Sequence, residues 1–488
     1  MSPAGAAMDT ARGAFRPVAA RALAGETWLE PERTVEIRDP YRRTIVGTAP
    51  VSSMAELDAA LTAAVEARAR IAAMPGYERA ALLRRAATLI ERDTENLAEL
   101  LTRETGKAIK DSDAEIRRSM ETVALAAEEA IRIEGRHVPL DGSAMGAGKI
   151  ALLLRFPVGV VAAITPFNAP FNLAAHKVAP AIAAGNCMVL KPPPQAPLIV
   201  HRLVEMFVEA GLPPGVLNVV HGGAEIGAAL VADPRVDFIT FTGSSRAGAA
   251  IKASSGLRRV ALELGGNNAT IVHDDADLAS ASAACGRNSM RLAGQSCISV
   301  QSVYVQQRVY DAFLGLMEPE VRKMTLGDPL DPATDVGTLI DERAAQRVES
   351  WVQEAAAQGA RVLTGGHRHG AAFEPTVLTG VKPSMKVVCE EIFGPVVNVI
   401  AYQAIDEAFA AANAGPYGLQ AGIFTRSNEI TFRAIRALRV GGVIVNGTST
   451  WRTDQLAYGG VKASGTGREG PRYAIEEMTE QRLVVFNL

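Results

Sequence analysis

From about residue 149 onward the chain alternates two kinds of segment, and that alternation limits the fold more than any other feature. Short apolar runs at 158–164, 188–191, 216–221 and 236–242 are separated by helical stretches such as 198–210 and 224–231. Runs this short and apolar on both sides read as strands covered on both faces, and helical crossovers between them make the sheet parallel. The fold class is therefore α/β: a doubly wound parallel sheet of the nucleotide-binding kind, with a Rossmann-like βα pattern. A second βα series starts after Gly265–Gly266 and continues to about residue 446, through runs near 302–306, 396–401, 422–425 and 442–446. Upstream, residues 53–132 read as helices. Ser53 with Glu56 forms a capping box, Leu57, Leu61 and Val65 follow at helical spacing, and further segments lie around 80–90, 97–101 and 113–131. Residues 482–488 form a short apolar run that would be a sticky edge alone, so it is expected to pair with another segment or another subunit.

Composition narrows the function. Fifty basic against 53 acidic side chains, net −3, give no electrostatic footprint for nucleic acid or an anionic membrane. No stretch of about 18 uninterrupted apolar residues is present to span a bilayer. Four cysteines in 488 residues, Cys187, Cys285, Cys297 and Cys389, make no disulfide framework and point to a reducing compartment, the cytoplasm. Arg12, Arg16 and Arg21 among Ala and Val have a transit-peptide flavour, but Asp9 and Pro17 interrupt any amphipathic helix. A frayed leader before Trp28 is the expectation.

Five places hold residues suited to chemistry. Cys297, in G-Q-S-C-I-S, follows a predicted helix at 278–292, and the Gly-Gln-Ser turn would present its thiol at a cleft mouth; Ser296 is its neighbour. The alternative is a small buried hydrophobe. Glu263 ends the apolar strand 260–262 ahead of two glycines, where crevices form in α/β folds, unless it is only a solvated strand end. Asn168, in I-T-P-F-N-A-P-F, has an amide able to donate to a developing oxyanion, or to cap a turn. Lys191 ends its strand before a proline run and suits a ribose or phosphate; a surface lysine is the bland reading. F-T-G-S-S-R-A-G puts Gly243 and Ser244 at a strand-to-helix turn with Gly248 in the helix, where backbone amides can receive a pyrophosphate. His367 and His369 lack a third ligand at metal spacing, and no metal site is expected.

Taken together, I-T-P-F-N, L-K-P, F-T-G-S, E-L-G-G-N-N, G-Q-S-C, E-E-I-F-G-P and Y-G-G-V-K-A-S-G-T-G-R-E-G resemble, in order, the motifs of the aldehyde dehydrogenase superfamily, from about Trp28 to the end of the chain. The spacing from Glu263 to Cys297 matches as well. The resemblance implies an enzyme that oxidises an aldehyde to a carboxylic acid with NAD(P)⁺. Cys297 would form a thiohemiacetal and then a thioester, Asn168 and the Cys297 amide would hold the oxyanion, and Glu263 would activate water. It also implies cofactor contacts at Ile164, Thr165, Lys191, Gly243, Ser244, Gly248, Leu264, Glu391 and Phe393, and a proton-relaying pair Lys177–Glu469. The domains it implies are 1–132 with 154–264 for the cofactor, 265–460 for catalysis, and a small β arm, 133–153 with 475–488, for oligomerisation. A homodimer or a tetramer built from dimers is expected.

Departures from the usual pattern bear on specificity. Pro194 stands where many NAD-dependent relatives carry a carboxylate for the adenosine ribose; its loss removes repulsion of a 2′-phosphate, so NAD and NADP are both admitted. Asn172 and His176 occupy helix positions that line the family's substrate tunnel and suggest a short, polar aldehyde; a structural hydrogen bond is the alternative for His176. Arg452, in W-R-T-D, falls in the loop over the tunnel mouth, where a guanidinium suits a substrate anion or a salt bridge to Asp454. Arg117 or Arg118 would add to such a site. Together with the tail G-R-E-G-P-R-Y-A-I-E-E-M-T-E, these features resemble the lactaldehyde, non-phosphorylating glyceraldehyde-3-phosphate and phosphonoacetaldehyde branch. Two other readings stand beside hydrolysis: a CoA-acylating relative, which usually lacks the general-base glutamate, and a nucleotide-binding structural protein without turnover.

Overall fold

The computed structural model describes residues 15–488. Its first sheet has eight strands, and the five at its centre are parallel: Arg259–Glu263, Phe238–Thr242, Val160–Ile164, Cys187–Lys191 and Leu217–Val219, in that spatial order. Every residue of Val160–Ile164, Cys187–Lys191 and Phe238–Thr242 is buried, as strands covered on both faces must be. The chain leaves Val160–Ile164 toward Cys187–Lys191 on one side and returns to Phe238–Thr242 on the other. The carboxyl ends of these strands therefore open the crevice in which doubly wound folds bind ligands.

A second, seven-stranded sheet runs Arg361–Thr364, Thr376–Thr379, Val396–Tyr402, Val300–Gln306, Asn268–Val272, Gln420–Phe424, Gly442–Val445, parallel except at its first strand. Leu264–Gly265–Gly266–Asn267 carries the chain from one sheet to the other, so Glu263 and the segment before Val300 meet at the junction. Gly465–Thr466 returns to close the edge of the first sheet beside Leu262 and Glu263.

The N-terminal helices form as expected. The Ser53–Glu56 box is reciprocal, with Ser53 N–H donating to Glu56 Oε2 at 2.6 Å and Glu56 N–H to Ser53 Oγ at 3.2 Å. Two helices packed with the first sheet instead begin with proline after alanine and have no side-chain cap of their own. Their caps come from elsewhere in the chain. Glu115 accepts from Phe171 N and Asn172 N at 3.1 and 3.2 Å, and Glu104 accepts from Leu198 N and Ile199 N at 2.6 and 2.9 Å.

Two expectations need correction. The segment before Trp28 is not a frayed leader across the described residues. Val18–Ala19 pairs with Gly47 and Thr48, and Ala22–Ala24 joins the first sheet beside Leu217–Val219, burying Ala22 and Leu23. Small apolar residues suffice for such short strands, Ala22–Ala24 being paired on both sides by Leu217–Val219 and Thr27–Leu29; Asp9 and Arg12 lie outside the described residues. Second, the helix before Cys297 ends at Met290 rather than at 292, because Leu292 and Ala293 adopt left-handed φ of 55° and 51°. The terminal run lies in the strand Thr479–Asn487, paired antiparallel along its whole length with Lys149–Pro157, and Arg136–Val138 completes a three-stranded sheet.

Candidate active site

The strained turn at Leu292–Ala293 reverses the chain so that Cys297 faces the junction of the two sheets. Gly294 completes the turn at φ 70°, and a Cβ there would fall 1.9 Å from the Gly394 carbonyl oxygen. No other residue fits. Asn268 Nδ2 donates to the Cys297 carbonyl at 2.7 Å and fixes the backbone that carries the thiol. The sulfur itself lies 3.1 Å from the Tyr458 hydroxyl, against an apolar cluster of Ile298, Leu419 and Tyr458. Burial pushes the thiol up to about 11; Tyr458 and Arg452 act to lower it, and Glu391 and Glu263 to raise it. Asn168 sits in the loop between the strand Val160–Ile164 and the helix Pro170–Ala184, partly exposed, and Ser296 flanks the sulfur in the turn.

Glu263 is buried, not a solvated strand end. Burial and the charge on Glu469 both push its carboxyl well above the usual carboxylate range. Its Oε2 has no hydrogen-bond partner among the described residues, and Glu263 lines a small cavity of about 20 Å³ together with His176, Lys177, Thr240, Arg468 and Glu469. That is room for a single water, and the orphaned carboxylate oxygen is the partner such a water needs. Lys177 Nζ donates to Thr240 Oγ1 at 3.0 Å and lies 3.8 Å from Glu469. Burial pushes Glu469 up, but Arg452 and Lys177, with His176 beside them, pull it down to about 2.

Arg452 lies inside the site rather than over its mouth. It donates to Glu469 Oε1 at 2.6 Å, and its guanidinium carbon sits 3.7 Å from the Tyr458 ring centroid. Beside it Asp454 gathers a polar network. Arg118 Nε donates to it at 3.0 Å, Thr122 Oγ1 at 2.7 Å, and His176 Nε2 lies 3.1 Å away. Asn172 Nδ2 reaches the same network through Thr122 Oγ1 at 3.2 Å. Burial pushes His176 toward its neutral form. Arg117 and Arg118 are separated by this geometry: Arg117 turns outward to Asp113, whereas Arg118 turns in and stays 35% exposed.

At the crevice the residues fit a dinucleotide. Among the described residues Thr165 Oγ1 is buried without a partner, and Lys191, buried rather than on the surface, bonds only the Pro192 carbonyl. Burial pushes that lysine down to about 8. Ser244 caps the helix Ser245–Ser254 through Ala247 N, leaving the first amides of that helix open at the crevice. Gly248 and Leu264 touch closely enough that a Cβ on Gly248 would lie 2.4 Å from Leu264 Cδ2. Ile164 ends the central strand, and Pro194 is exposed beyond Lys191. Glu391 accepts from Gly266 N at 3.0 Å, and burial pushes it up to about 7. Phe393, at φ 50°, sets its ring edge-on to Phe167. His369 pairs with Glu374 at 3.1 Å on an exposed hairpin.

Sequence reading missed Tyr458, Asn268 and the hub role of Asp454. The signal for Tyr458 was its place directly before Gly459–Gly460; Asn268 and Asp454 acquire partners only through contacts distant in sequence.

The model of the family described as "Aldehyde dehydrogenase family" matches residues 28–484. A 3-sulfolactaldehyde dehydrogenase from Priestia aryabhattai is 45% identical over 462 residues, covering 94% of this chain and 96% of that one. Among solved structures, aldehyde dehydrogenase 21 from Physcomitrella patens, in complex with the reaction product succinate, superposes with a TM-score of 0.94 at 38% identity, covering 97% of this chain and 99% of that one. The NADP-dependent glyceraldehyde-3-phosphate dehydrogenase from Bacillus halodurans, complexed with NADP, also gives 0.94, at 36% identity over 96% of this chain and 99% of that one.

Proposed function

This chain belongs to the aldehyde dehydrogenase family and oxidises an aldehyde to a carboxylic acid with NAD(P)⁺, and from that premise we propose that its substrate is a small aldehyde bearing an anionic group. The observation that carries the proposal is Arg118. Its Nε and Nη2 engage Asp454, while Nη1 has no hydrogen bond among the described residues on a side chain that is partly open to solvent. An inward guanidinium with one free edge, backed by Asn172, His176 and Arg452, suits a carboxylate, phosphate or sulfonate better than an alkyl or aromatic tail. The three relatives above act on, yield or are named for molecules that carry a sulfonate, a carboxylate or a phosphate.

The residues then divide the chemistry. Cys297 releases its thiol proton to solvent water, and its sulfur attacks the aldehyde carbon. The Asn168 amide and the Cys297 N–H hold the resulting oxyanion. NAD(P)⁺, when bound, supplies the hydride acceptor; Lys191, Thr165 and the amides after Gly243 hold its adenosine and phosphates, and Glu391 and Phe393 its nicotinamide end. The thioester left on Cys297 is hydrolysed by a water whose proton Glu263 takes, and Lys177 and Glu469 pass that proton on from the cavity behind it. A buried base beside a water-sized cavity favours water over CoA as the acyl acceptor, and a site with this nucleophile and base is built for turnover.

We assign the cofactor unit to residues 1–132 and 154–264, catalysis to 265–460 and the oligomerisation arm to 133–153 and 475–488. A cytoplasmic homodimer, or a tetramer of dimers, suits the four free cysteines and the apolar arm. No helix among the described residues is long and apolar enough to cross a membrane.

The test is a steady-state panel with NAD⁺ and NADP⁺. It sets glyceraldehyde 3-phosphate, succinate semialdehyde, sulfoacetaldehyde and phosphonoacetaldehyde against lactaldehyde, propanal and benzaldehyde. Anionic aldehydes are expected to lead in kcat/KM, and Arg118→Ala to cut that lead about tenfold or more, as loss of a charge-assisted bond does. A lead by neutral aldehydes, with Arg118→Ala silent, overturns the anion assignment and leaves the activity standing.

A further inference from the structure

The thiol that the reaction uses has a single side-chain hydrogen-bond partner among the described residues, the hydroxyl of Tyr458 at 3.1 Å. Three contacts hold that hydroxyl in place. The Tyr458 and Glu469 backbones exchange two hydrogen bonds, at 3.0 and 2.6 Å. The Arg452 guanidinium covers one face of the ring, and Arg452 is itself tied to Glu469. Ile298 and Leu419 pack with the ring, which is 5% exposed. Such a ring cannot swing away without breaking the ion pair beneath it.

We propose that Tyr458 activates and aims the nucleophile by donating its hydroxyl hydrogen to the Cys297 thiolate, with Arg452 over the ring as the strut that fixes the donor. The inference rests on Cys297 being the nucleophile. No proton leaves Tyr458 in this role. Burial and the neighbouring sulfur push its phenol well above the ordinary range, so it stays an O–H donor when the thiol has ionised. The charged or titratable groups facing the sulfur are Tyr458, Arg452, Glu391 and Glu263. Of these the hydroxyl is the one in direct contact. When the sulfur bonds to the aldehyde carbon, its negative charge passes to the oxygen and the sulfur becomes a weak acceptor. The bond to Tyr458 therefore belongs to the state before attack.

That placement has a kinetic signature. A donor to the thiolate increases the ionised fraction at a given pH but makes each thiolate a poorer nucleophile, with a Brønsted coefficient of about 0.4–0.5. Removing it does the opposite. For Tyr458→Phe, the pH dependence of iodoacetamide alkylation of the full-length protein, read by mass spectrometry at Cys297, is expected to move up by about one pH unit. The rate on the low-pH side would fall about threefold, and the high-pH plateau would rise about threefold. Replacing Tyr458 by 3-fluorotyrosine, a stronger donor, moves the profile down. A curve that only scales, or that superimposes on the wild type, overturns the role of Tyr458 while leaving Cys297 in place. Turnover that survives Cys297→Ala overturns the nucleophile assignment instead.

Discussion

At the residue scale the site depends on two carboxylates a short distance apart that burial treats differently. Arg452 and Lys177 lower the pKa of both, but Arg452 bonds Glu469 directly, whereas at Glu263 burial and the negative charge of Glu469 outweigh them. A base with a raised pKa is in its working form only at higher pH. Thioester hydrolysis is therefore expected to quicken as pH rises above the usual carboxylate range, and Glu469→Gln, which removes the neighbouring charge, to shift that rise to lower pH. Glu263→Gln should leave a burst of one reduced cofactor per subunit and then turnover slower by about 10²–10⁴-fold, as loss of a general base does. Stopped-flow absorbance resolves both, and an undiminished steady state in Glu263→Gln would remove that residue from the mechanism. Cys297, Glu263 and Asn168 were legible because each sits at the end of a strand or turn that local pattern locates. The choice between Arg117 and Arg118 was not, because adjacent helical residues differ by about 100° in direction and only the position of Asp454 decides which one turns in.

At the element scale, the helix Pro170–Ala184 carries Asn172, His176 and Lys177, yet it starts without a cap of its own. Its first amides are held by Glu115, which also pairs with Lys107. Glu104 does the same for Pro197–Glu209, a helix that carries no candidate catalytic residue. Removing either carboxylate orphans two buried donors, at a cost of about 1–3 kcal/mol. Glu104→Ala and Glu115→Ala are each expected to lower the denaturant midpoint. Only Glu115→Ala should also lower kcat/KM, since only its helix aims the relay residues. Equal kinetic damage from both would show that global loosening, not aim, is responsible. The capping box at Ser53 could be read directly because donor and acceptor are three residues apart; caps supplied across a gap of more than fifty residues have no local signature.

At the scale of the whole molecule, the last strand, Thr479–Asn487, is an edge strand with Leu483, Val485 and Phe486 exposed beside Ile150 and Leu154 of its neighbour. A long, flat, apolar edge is stable in water only when covered. Deleting residues 482–488 is expected to convert a dimer or tetramer into monomer or aggregate, measured by light scattering on the eluting peak. An unchanged oligomer would refute the arm assignment. The terminal run was legible as an unsatisfied edge; its antiparallel partner, more than three hundred residues upstream, was not.

The sequence by itself determined what depends on near neighbours: two βα series, the strand ends bearing Glu263 and Lys191, the turns bearing Cys297 and Asn168, and a dinucleotide crevice with no carboxylate at Pro194. Hydrophobic period, glycine placement and motif order are properties of short stretches, and they survive without knowledge of the rest. Only the tertiary structure decided which charges meet. Arg452 is turned onto Glu469 and the face of Tyr458, and Arg118 onto Asp454; the hydroxyl of Tyr458 reaches the sulfur it faces, and Glu104 and Glu115 cap helices far along the chain. Hydrogen bonds and ion pairs act over a few ångströms in space and are indifferent to distance along the chain.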